Sequence, residues 1–233
     1  MNDQTRTFPT IDPPTDPDYR PPMDPYLTII HQDKHLLVLD KQSGLLHVAG
    51  KHPSLSDCLE ARAREQFPSV SIIHRLDKDT SGVVLMALNK EAHAYVAKQF
   101  EFRTSKKSYV ARVWGLIKED SGHIDLPMAT DWERRPRQKV DYERGRPSQT
   151  DWVVLERETE NNITRVRLFP RTGRTHQLRV HMMMMGHPIV GDPFYAEGAA
   201  LEAADRLQLH AEEVIFKHPE TKEECRFHVP CPF

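Results

Sequence analysis

The sequence predicts an α+β domain built on a largely antiparallel, mixed sheet with flanking helices. Short aliphatic or alternating segments, which are typical of strands, outnumber the amphipathic segments that are typical of helices. Most neighbouring strand segments are joined by hairpin-like links, and the strand–helix–strand rhythm of a parallel sheet is missing. With 233 residues, 38% of them hydrophobic and 28% charged, the chain is long enough to bury a core without disulfides.

Nine segments are predicted as strands, and two pairs of them as antiparallel neighbours. The predicted strands are 27–30, 36–39, 70–73, 83–88, 109–114, 152–155, 163–169, 209–216 and 225–229. The first two strands form a hairpin, and 152–155 pairs with 163–169. In the latter, Val166 and Leu168 alternate with Arg165 and Arg167, which predicts one face in the core and one cationic face.

Three helices are predicted from a capping residue followed by a one-sided apolar pattern. They are 54–67 with Ser54 and Asp57 as a capping box, 90–102 after Asn89, and 175–185 beginning at Thr175. Gly186 and Pro188 end the last of these helices. The sequence therefore places a helix directly after an arginine-rich strand.

The N-terminal segment differs in composition from the rest of the chain. Residues 1–25 contain seven prolines and almost no aliphatic residues, so we expect a disordered or extended tail before a single domain at 26–233. No apolar run approaches the roughly 18 residues of a membrane span. Three cysteines without a C-x-x-C pair argue against a disulfide framework and a zinc site, and we expect a cytoplasmic protein.

The charges are segregated, although the net charge is only −2. No acidic residue lies between positions 161 and 191, where the sequence has Arg165, Arg167, Arg171, Arg174 and Arg179. A second basic stretch, preceded by Glu133 and interrupted by Asp141 and Glu143, has Arg134, Arg135, Arg137, Lys139, Arg144 and Arg146. Such local patches favour a polyanionic partner, and a solvated basic face is the alternative explanation.

Residues 74–82 (HRLDKDTSG) form a charged insert between two aliphatic runs. Loops held by a rigid scaffold often carry catalytic groups, so Asp77, flanked by Arg75, is the candidate catalytic carboxylate. A polar turn with a solvated Arg–Asp pair is the alternative. Tyr109 is the aromatic candidate for the same site. No phosphate-binding glycine motif is present, and the spacing of the histidines disfavours a metal site.

These motifs resemble those of the RluA-type pseudouridine synthases. Residues 74–82 agree with the family pattern H-R-L-D-x-x-T-S-G at every fixed position, and 172–181 (TGRTHQLRVH) and 186–192 (GHPIVGD) agree with the second element. The segment 40–45 resembles the first family motif, with Gln42 where proline is usual. The last family element is similar to 207–211. The resemblance covers residues 26–230 and implies the pseudouridine synthase catalytic fold with a central active-site cleft.

The resemblance implies isomerisation of uridine to pseudouridine in RNA without a cofactor. Asp77 would be the catalytic carboxylate, Arg179 would pair with it, and Tyr109 would lie against the uracil as the best candidate for removing the C5 proton. That last role would need a lowered pKa or a concerted relay. Arg75 and His74 would contact the RNA at the flipped base, and Arg75 would enter the space that this base leaves. Phosphate contacts are expected from the basic stretches, namely Arg165, Arg167, Arg174, Arg135, Arg137 and Lys139.

The substrates are also implied by likeness alone. Segment 135–140 resembles the dual-specificity subgroup of the family, which modifies a stem-loop of 23S rRNA and the anticodon loop of certain tRNAs. Only the proline-rich tail precedes the first motif, which leaves no room for an S4 RNA-binding domain. We expect a monomer without metal or membrane partner. The alternatives are a non-catalytic RNA-binding or ribosome-assembly protein, a hydrolytic nucleosidase, and a carboxylate enzyme that acts on a small anionic metabolite.

Overall fold

A computed structural model describes residues 19–233, so the part of the expected tail at 1–18 lies outside the described residues. Residues 19–25 lie against the domain. The hydroxyl of Tyr19 donates to the carbonyl of Asp57 at 2.9 Å, and a guanidinium nitrogen of Arg62 donates to the carbonyl of Pro22 at 2.8 Å. This segment therefore contacts the domain through specific hydrogen bonds.

A ten-stranded sheet forms the body of the protein, and a two-stranded hairpin lies beside it. The strands within residues 19–233 are β1 (Thr28–Gln32), β2 (Leu36–Lys41), β3 (Ser71–Ile72), β4 (Ser81–Ala87), β5 (Lys106–Trp114), β6 (Ser121–Asp125), β7 (Met128–Thr130), β8 (Gln138–Val140), β9 (Gln149–Glu158), β10 (Ile163–Pro170), β11 (Leu209–Lys217) and β12 (Glu224–His228). The main path runs β1-β2-β4-β11-β5-β10-β9-β6, with β12 on β11 and β3 on β4. Strands β7 and β8 form the separate hairpin.

The predicted fold class is confirmed. Among the described strand pairings, β4 and β11 run parallel and the others run antiparallel. The helices are α1 (Leu59–Gln66), α2 (Lys90–Glu101), α3 (Gln177–Met184) and α4 (Ala199–Glu202), with a 3₁₀ turn at Pro53–Leu55. Both predicted antiparallel pairs, β1–β2 and β9–β10, are present. The prediction did not include β6, β7 or β8.

The predicted start of the first helix was wrong. Ser54 lies in the 3₁₀ turn, and α1 begins after Cys58, whose sulfur accepts from the amide of Ala61 at 3.4 Å. Asp57 does not complete a capping box because its carboxylate holds the buried Arg62 through two bonds of 2.7 Å. The buried guanidinium of Arg62, five residues further along the chain, thus binds the carboxylate that the local pattern assigned to the helix cap. The Asn89 cap of α2 is confirmed, since its side chain accepts from Ala92.

The start of α3 also differs from the prediction. The N-cap is His176, which has a φ of +54°, and Thr175 is exposed. The side-chain oxygen of Gln177 accepts from the amide of Arg174 at 3.0 Å and from the hydroxyl of Thr172 at 2.7 Å. These bonds close the turn that leads into the helix. Within the described residues, no helix is long and apolar enough to cross a membrane.

The core lies around β4, all of whose residues are buried. Gly82 has a φ of +111°, and a Cβ atom there would lie 2.2 Å from the carbonyl oxygen of Ala211 on β11. The parallel approach of β4 and β11 therefore requires glycine at this position. Because β4 starts at Ser81, this contact fixes the strand immediately after the charged insert.

Candidate active site

A cleft of about 450 Å³ opens over the middle of the sheet. The insert before β4 forms one wall, β5 lies at the base, and the turn that leads into α3 forms the other wall. Asp77, Tyr109 and Arg179, the three residues predicted as catalytic, all line this cleft. The fold therefore brings together residues that are separated by about a hundred positions in the chain.

The insert that carries Asp77 is held by the side chain of Lys41 and by one turn of its own backbone. The buried ammonium of Lys41 donates to the carbonyls of Lys78 at 2.7 Å, Thr80 at 2.9 Å and Gln42 at 2.8 Å. The amide of Thr80 donates to the carbonyl of Asp77 at 3.2 Å, which closes a turn. Because these carbonyls are satisfied inside the protein, the carboxylate is displayed on a fixed loop.

Asp77 shares one arginine with a second carboxylate. Its side chain is 28% exposed, and its Oδ2 lies 3.5 Å from Nη1 of Arg179. The other nitrogens of Arg179 form a bidentate pair with the fully buried Asp192, with Nε–Oδ2 at 2.8 Å and Nη2–Oδ1 at 2.7 Å. Asp192 also accepts from the amides of Phe194 and Tyr195. Burial lowers the pKa of Arg179, but the bonds to Asp192 outweigh it and raise the pKa overall, so the guanidinium stays charged beside Asp77.

A histidine forms a second contact near the carboxylate. Nε2 of His176 lies 3.9 Å from Oδ2 of Asp77, and its Nδ1 lies 2.7 Å from the hydroxyl oxygen of Tyr195. The Tyr195 oxygen accepts from the amide of Gln138 on β8 at 2.7 Å. Burial lowers the pKa of His176, which leaves the ring neutral at pH 7. With the Tyr195 proton donated to Nδ1, the ring hydrogen is on Nε2 and faces Asp77.

Tyr109 lies at the base of the cleft and is 9% exposed. Burial, and to a lesser extent the Asp77 carboxylate, raises its pKa above the ordinary value for a phenol. The side chain is therefore protonated at neutral pH. Of the two conditions attached to its expected role as a base, the lowered pKa is not met, which leaves the concerted relay, whereas its position suits contact with a planar ring.

Cations surround the cleft on several sides. Arg75 is exposed and forms no ion pair with any residue in 19–233. Arg174 also lines the cleft, and burial together with the neighbouring Arg146 and Arg103 lowers its pKa. Lys107 lies two positions before Tyr109 and therefore on the same face of β5. A concentration of positive charge with few acids in reach is suited to phosphate.

His74 has a structural contact at the edge of the cleft. Its Nε2 accepts from the amide of Leu85 at 3.1 Å, and its ring stacks on Phe100 with 4.9 Å between the ring centres. Burial, with a smaller effect from Lys107, lowers its pKa well below the ordinary value, so the ring is neutral. The side chain that faces outward beside it is Arg75.

Two of the arginines expected to contact RNA do not reach the cleft. Leu168 pairs with Tyr109 across β5 and β10, so Arg165 and Arg167 project from the opposite face of the sheet. Arg167 donates from Nε to Glu212 at 2.9 Å. The predicted cationic face of β10 is therefore on the far side from Asp77 and is partly neutralised. Arg135, Arg137 and Lys139 lie on the β7–β8 hairpin and its connecting loop, outside the cleft lining.

Several residues of the site were not predicted. Asp192 lies within the second family element but carries no local sign of its contact with Arg179. Lys107 could have been found from strand alternation with Tyr109. Arg103 also lines the cleft, whereas Arg171, another lining residue, belongs to the basic stretch already singled out in the sequence. Nothing in the local sequence marks Tyr195, because its role depends on β8 and α3 meeting. Within residues 19–233, no group of three or more His, Cys, Asp or Glu side chains is placed to hold a metal ion.

Comparison with known proteins agrees with this arrangement. The sequence profile of the RNA pseudouridylate synthases matches residues 35–183. The dual-specificity RNA pseudouridine synthase RluA of Vibrio vulnificus (strain CMCP6) is 50% identical over 219 residues, which are 93% of this chain and 88% of the relative. The protein of the same name from Salmonella typhi is 48% identical over 215 residues, which are 92% of this chain and 98% of the relative.

Solved structures show the same fold. The human RNA pseudouridylate synthase domain containing 1 superposes with a TM-score of 0.74 at 33% identity, covering 89% of this chain and 84% of that chain. The human RNA pseudouridylate synthase domain containing 4 superposes with a TM-score of 0.70 at 26% identity, covering 88% of each chain. The expected catalytic fold is therefore confirmed.

Proposed function

The chain belongs to the RNA pseudouridylate synthase family, and on that premise we propose that it isomerises specific uridines to pseudouridine within RNA stem-loops, with Asp77 as the catalytic carboxylate. The observation that carries the assignment of Asp77 is its contact with Arg179, 3.5 Å away, in a cleft that also carries the exposed Arg75, which forms no ion pair within residues 19–233. The relatives named as synthases favour this enzymatic function over non-catalytic RNA binding.

The reaction breaks the bond between uracil N1 and ribose C1′ and forms a bond between C5 and C1′. The hydrogen on C5 leaves as a proton and N1 gains one, so no oxidant, reductant or group donor is required. Asp77 has three chemical options here: attack on the sugar, attack on the base, or removal of a sugar proton. In each case Arg179, whose Nη1 lies 3.5 Å from Oδ2 of Asp77, orients the carboxylate.

Tyr109 and Arg75 have separate roles in this proposal. Tyr109 supplies a flat, buried surface for the uracil, and its raised pKa favours this stacking role over that of a phenolate base. Arg75 is exposed beside Asp77 and long enough to fill the space left when the uridine leaves its stack. His74 supports the wall next to it rather than entering the RNA. Arg174, with Arg103, Arg171 and Lys107, holds the phosphates that flank the flipped nucleotide.

We also propose that the substrates are a stem-loop of 23S rRNA and the anticodon loop of tRNA. Relatives that carry the description dual-specificity are about half identical to this chain along nearly their whole length. On this proposal the protein acts as a monomer in the cytoplasm, where both RNAs are available.

Tritium release from RNA labelled at uridine C5 tests the proposal. Wild-type protein should release tritium from an rRNA-fragment transcript and from an anticodon stem-loop transcript. Asp77→Asn should reduce the rate at least about 10³-fold while leaving RNA affinity within about twofold. Release of free uracil would instead identify a hydrolytic nucleosidase. RNA binding without release from either transcript or from total cellular RNA would reject the proposed isomerisation.

A further inference from the structure

The β7–β8 hairpin and its connecting loop, residues 128–140, carry an aromatic ring that the fold does not use. Trp132 is 69% exposed, and the guanidinium carbon of Arg135 lies 3.7 Å from the centre of its ring. The cation covers one face of the indole and leaves the other open to solvent. An exposed aromatic ring that is fixed by a cation on one face is characteristic of a surface on which another planar group stacks.

The charges around this ring point to a polyanion. Arg135, Arg137 and Lys139 form no ion pair within residues 19–233, whereas Arg134 pairs with Asp131 at 2.9 Å. Glu133 is the exposed acid beside Trp132. Free cations therefore outnumber free carboxylates in this segment, and an indole among free arginines matches a nucleic-acid strand better than an acidic or apolar protein surface.

The segment is held at a defined place relative to the active site. Met128 packs with Val180 of α3 and with Tyr195, and Val140 packs against the same cluster. The Gln138 amide donates to the Tyr195 hydroxyl oxygen, which bonds to the histidine beside Asp77. A base bound on the hairpin would thus be held at a fixed position relative to the uridine in the cleft.

We propose that residues 128–140 form a docking arm on which an unpaired base of the substrate RNA stacks against the open face of Trp132. Arg135 supports the ring from behind, and Arg137 and Lys139 contact the neighbouring phosphates. Stacking tolerates any base, so one arm serves stem-loops of different sequence. This inference rests on the proposed function in so far as the partner is the RNA whose uridine enters the cleft.

The test compares Trp132→Ala, Trp132→Phe and the matched control Tyr142→Ala. Tyr142 suits as the control because its side chain is 76% exposed in the segment that follows, and none of the cation–ring contacts in residues 19–233 involves it. Binding of an anticodon stem-loop transcript and single-turnover tritium release at saturating RNA are measured at fixed salt. Trp132→Ala should weaken binding about tenfold or more, Trp132→Phe should recover most of the affinity, and Tyr142→Ala should stay within about twofold. The rate at saturation should change less than about twofold in all three.

Tryptophan fluorescence gives a second measurement that does not depend on the alanine variant. RNA should quench the emission of wild-type protein, and Trp132→Phe should lose that quenching while Trp114 and Trp152 remain. Trp132→Ala with wild-type affinity, an equal loss in Tyr142→Ala, or quenching that persists in Trp132→Phe would overturn the docking arm. If wild-type protein releases tritium in those cases, the proposed function stands without the arm. Trp132-dependent binding with no tritium release from this transcript, the rRNA fragment or total cellular RNA would keep the arm and reject the proposed function.

Discussion

Nη1 of Arg179 lies 3.5 Å from Oδ2 of Asp77, and the remaining nitrogens of that guanidinium are held by Asp192 at 2.7–2.8 Å. The planar fork of arginine allows this division, since two parallel bonds fix its plane and the third nitrogen points elsewhere. The buried Asp192 thus fixes the position of the Arg179 guanidinium, and the partly exposed Asp77 contacts its third nitrogen. Asp192 acts on Asp77 only through the arginine.

Asp192→Asn should cost about 3–5 kcal/mol of the free energy of unfolding, because a buried arginine would lose its compensating charge. The rate at saturating RNA should also fall, since Arg179 would no longer be fixed beside Asp77. Urea denaturation and single-turnover tritium release measure the two effects. Asp151→Asn is the control: that carboxylate pairs with Arg171 and His123 at the surface and should cost no more than about 1 kcal/mol. Equal losses of unfolding free energy in the two variants would show that Asp192 is no more important than a surface carboxylate.

Lys41→Met should loosen the insert that carries Asp77. The three carbonyl oxygens that the ammonium satisfies would be left in the interior, at a cost of about 3 kcal/mol or more. The single-turnover rate should fall more than RNA affinity, because the cations proposed to bind phosphate lie elsewhere. The exposed Lys51→Met serves as the control for loss of a positive charge. A variant with wild-type stability and rate would show that the loop keeps its shape without Lys41.

Gly82→Ala should destabilise the protein by about 3 kcal/mol or more, since the new methyl would collide with the Ala211 carbonyl and the φ of +111° disfavours any side chain. Thermal denaturation measures the effect. Gly173→Ala is the matched control because a Cβ there meets nothing within 4 Å. Similar midpoints for the two variants would mean that β4 can move away from β11.

Arg75→Ala should slow the reaction more on a closed stem-loop than on an RNA in which the target uridine is already unstacked. Extracting a base from its stack costs a few kcal/mol, and the arginine is proposed to offset part of that cost. Single-turnover tritium release from the two RNAs gives the ratio of rates. An identical loss on both would assign Arg75 to phosphate binding instead.

The stability of the protein should fall as the pH drops below about 6.5, in part because of His181. Burial lowers the pKa of His181 to about 4, and its ring bonds to the hydroxyls of Ser148 and Thr150. In the unfolded chain this imidazole has a pKa of about 6.5 and therefore takes up a proton at higher pH than in the folded protein. The stabilisation that His181 contributes is thus complete above pH 6.5 and is lost as the pH falls toward 4. The loss at pH 5 amounts to about 2 kcal/mol for one such group.

Urea midpoints of wild type and His181→Asn between pH 7.5 and 4.5 measure this contribution. The variant should start less stable and lose less stability over that range. Burial lowers the pKa of His47 to about 3, so this residue should maintain part of the pH dependence of stability in the variant. Parallel curves for the two proteins would show that His181 is not the group responsible.

Much of the fold could be predicted because strand alternation, Asn89 as a cap and Gly186 as a helix end act over a few residues. The predicted helix starts were wrong because the Asp57 carboxylate binds Arg62 of α1, and because the Gln177 side chain closes the turn before α3. The hairpin formed by β7 and β8 was missed because its three-residue strands are too short to show a period.

The sequence by itself determined the fold class and the mixed use of strands and helices, since residue type and order along the chain carry that information. The set Asp77, Tyr109 and Arg179 was predicted from the resemblance to the family motifs. Tertiary structure alone decided which partners these side chains received. The pairing of β10 with β5 turned Arg165 and Arg167 away from the cleft, and the approach of Asp192 and Tyr195 to α3 placed Arg179 and a neutral histidine around one carboxylate. Those outcomes depend on register and on contacts between distant segments, and neither is encoded in any local pattern.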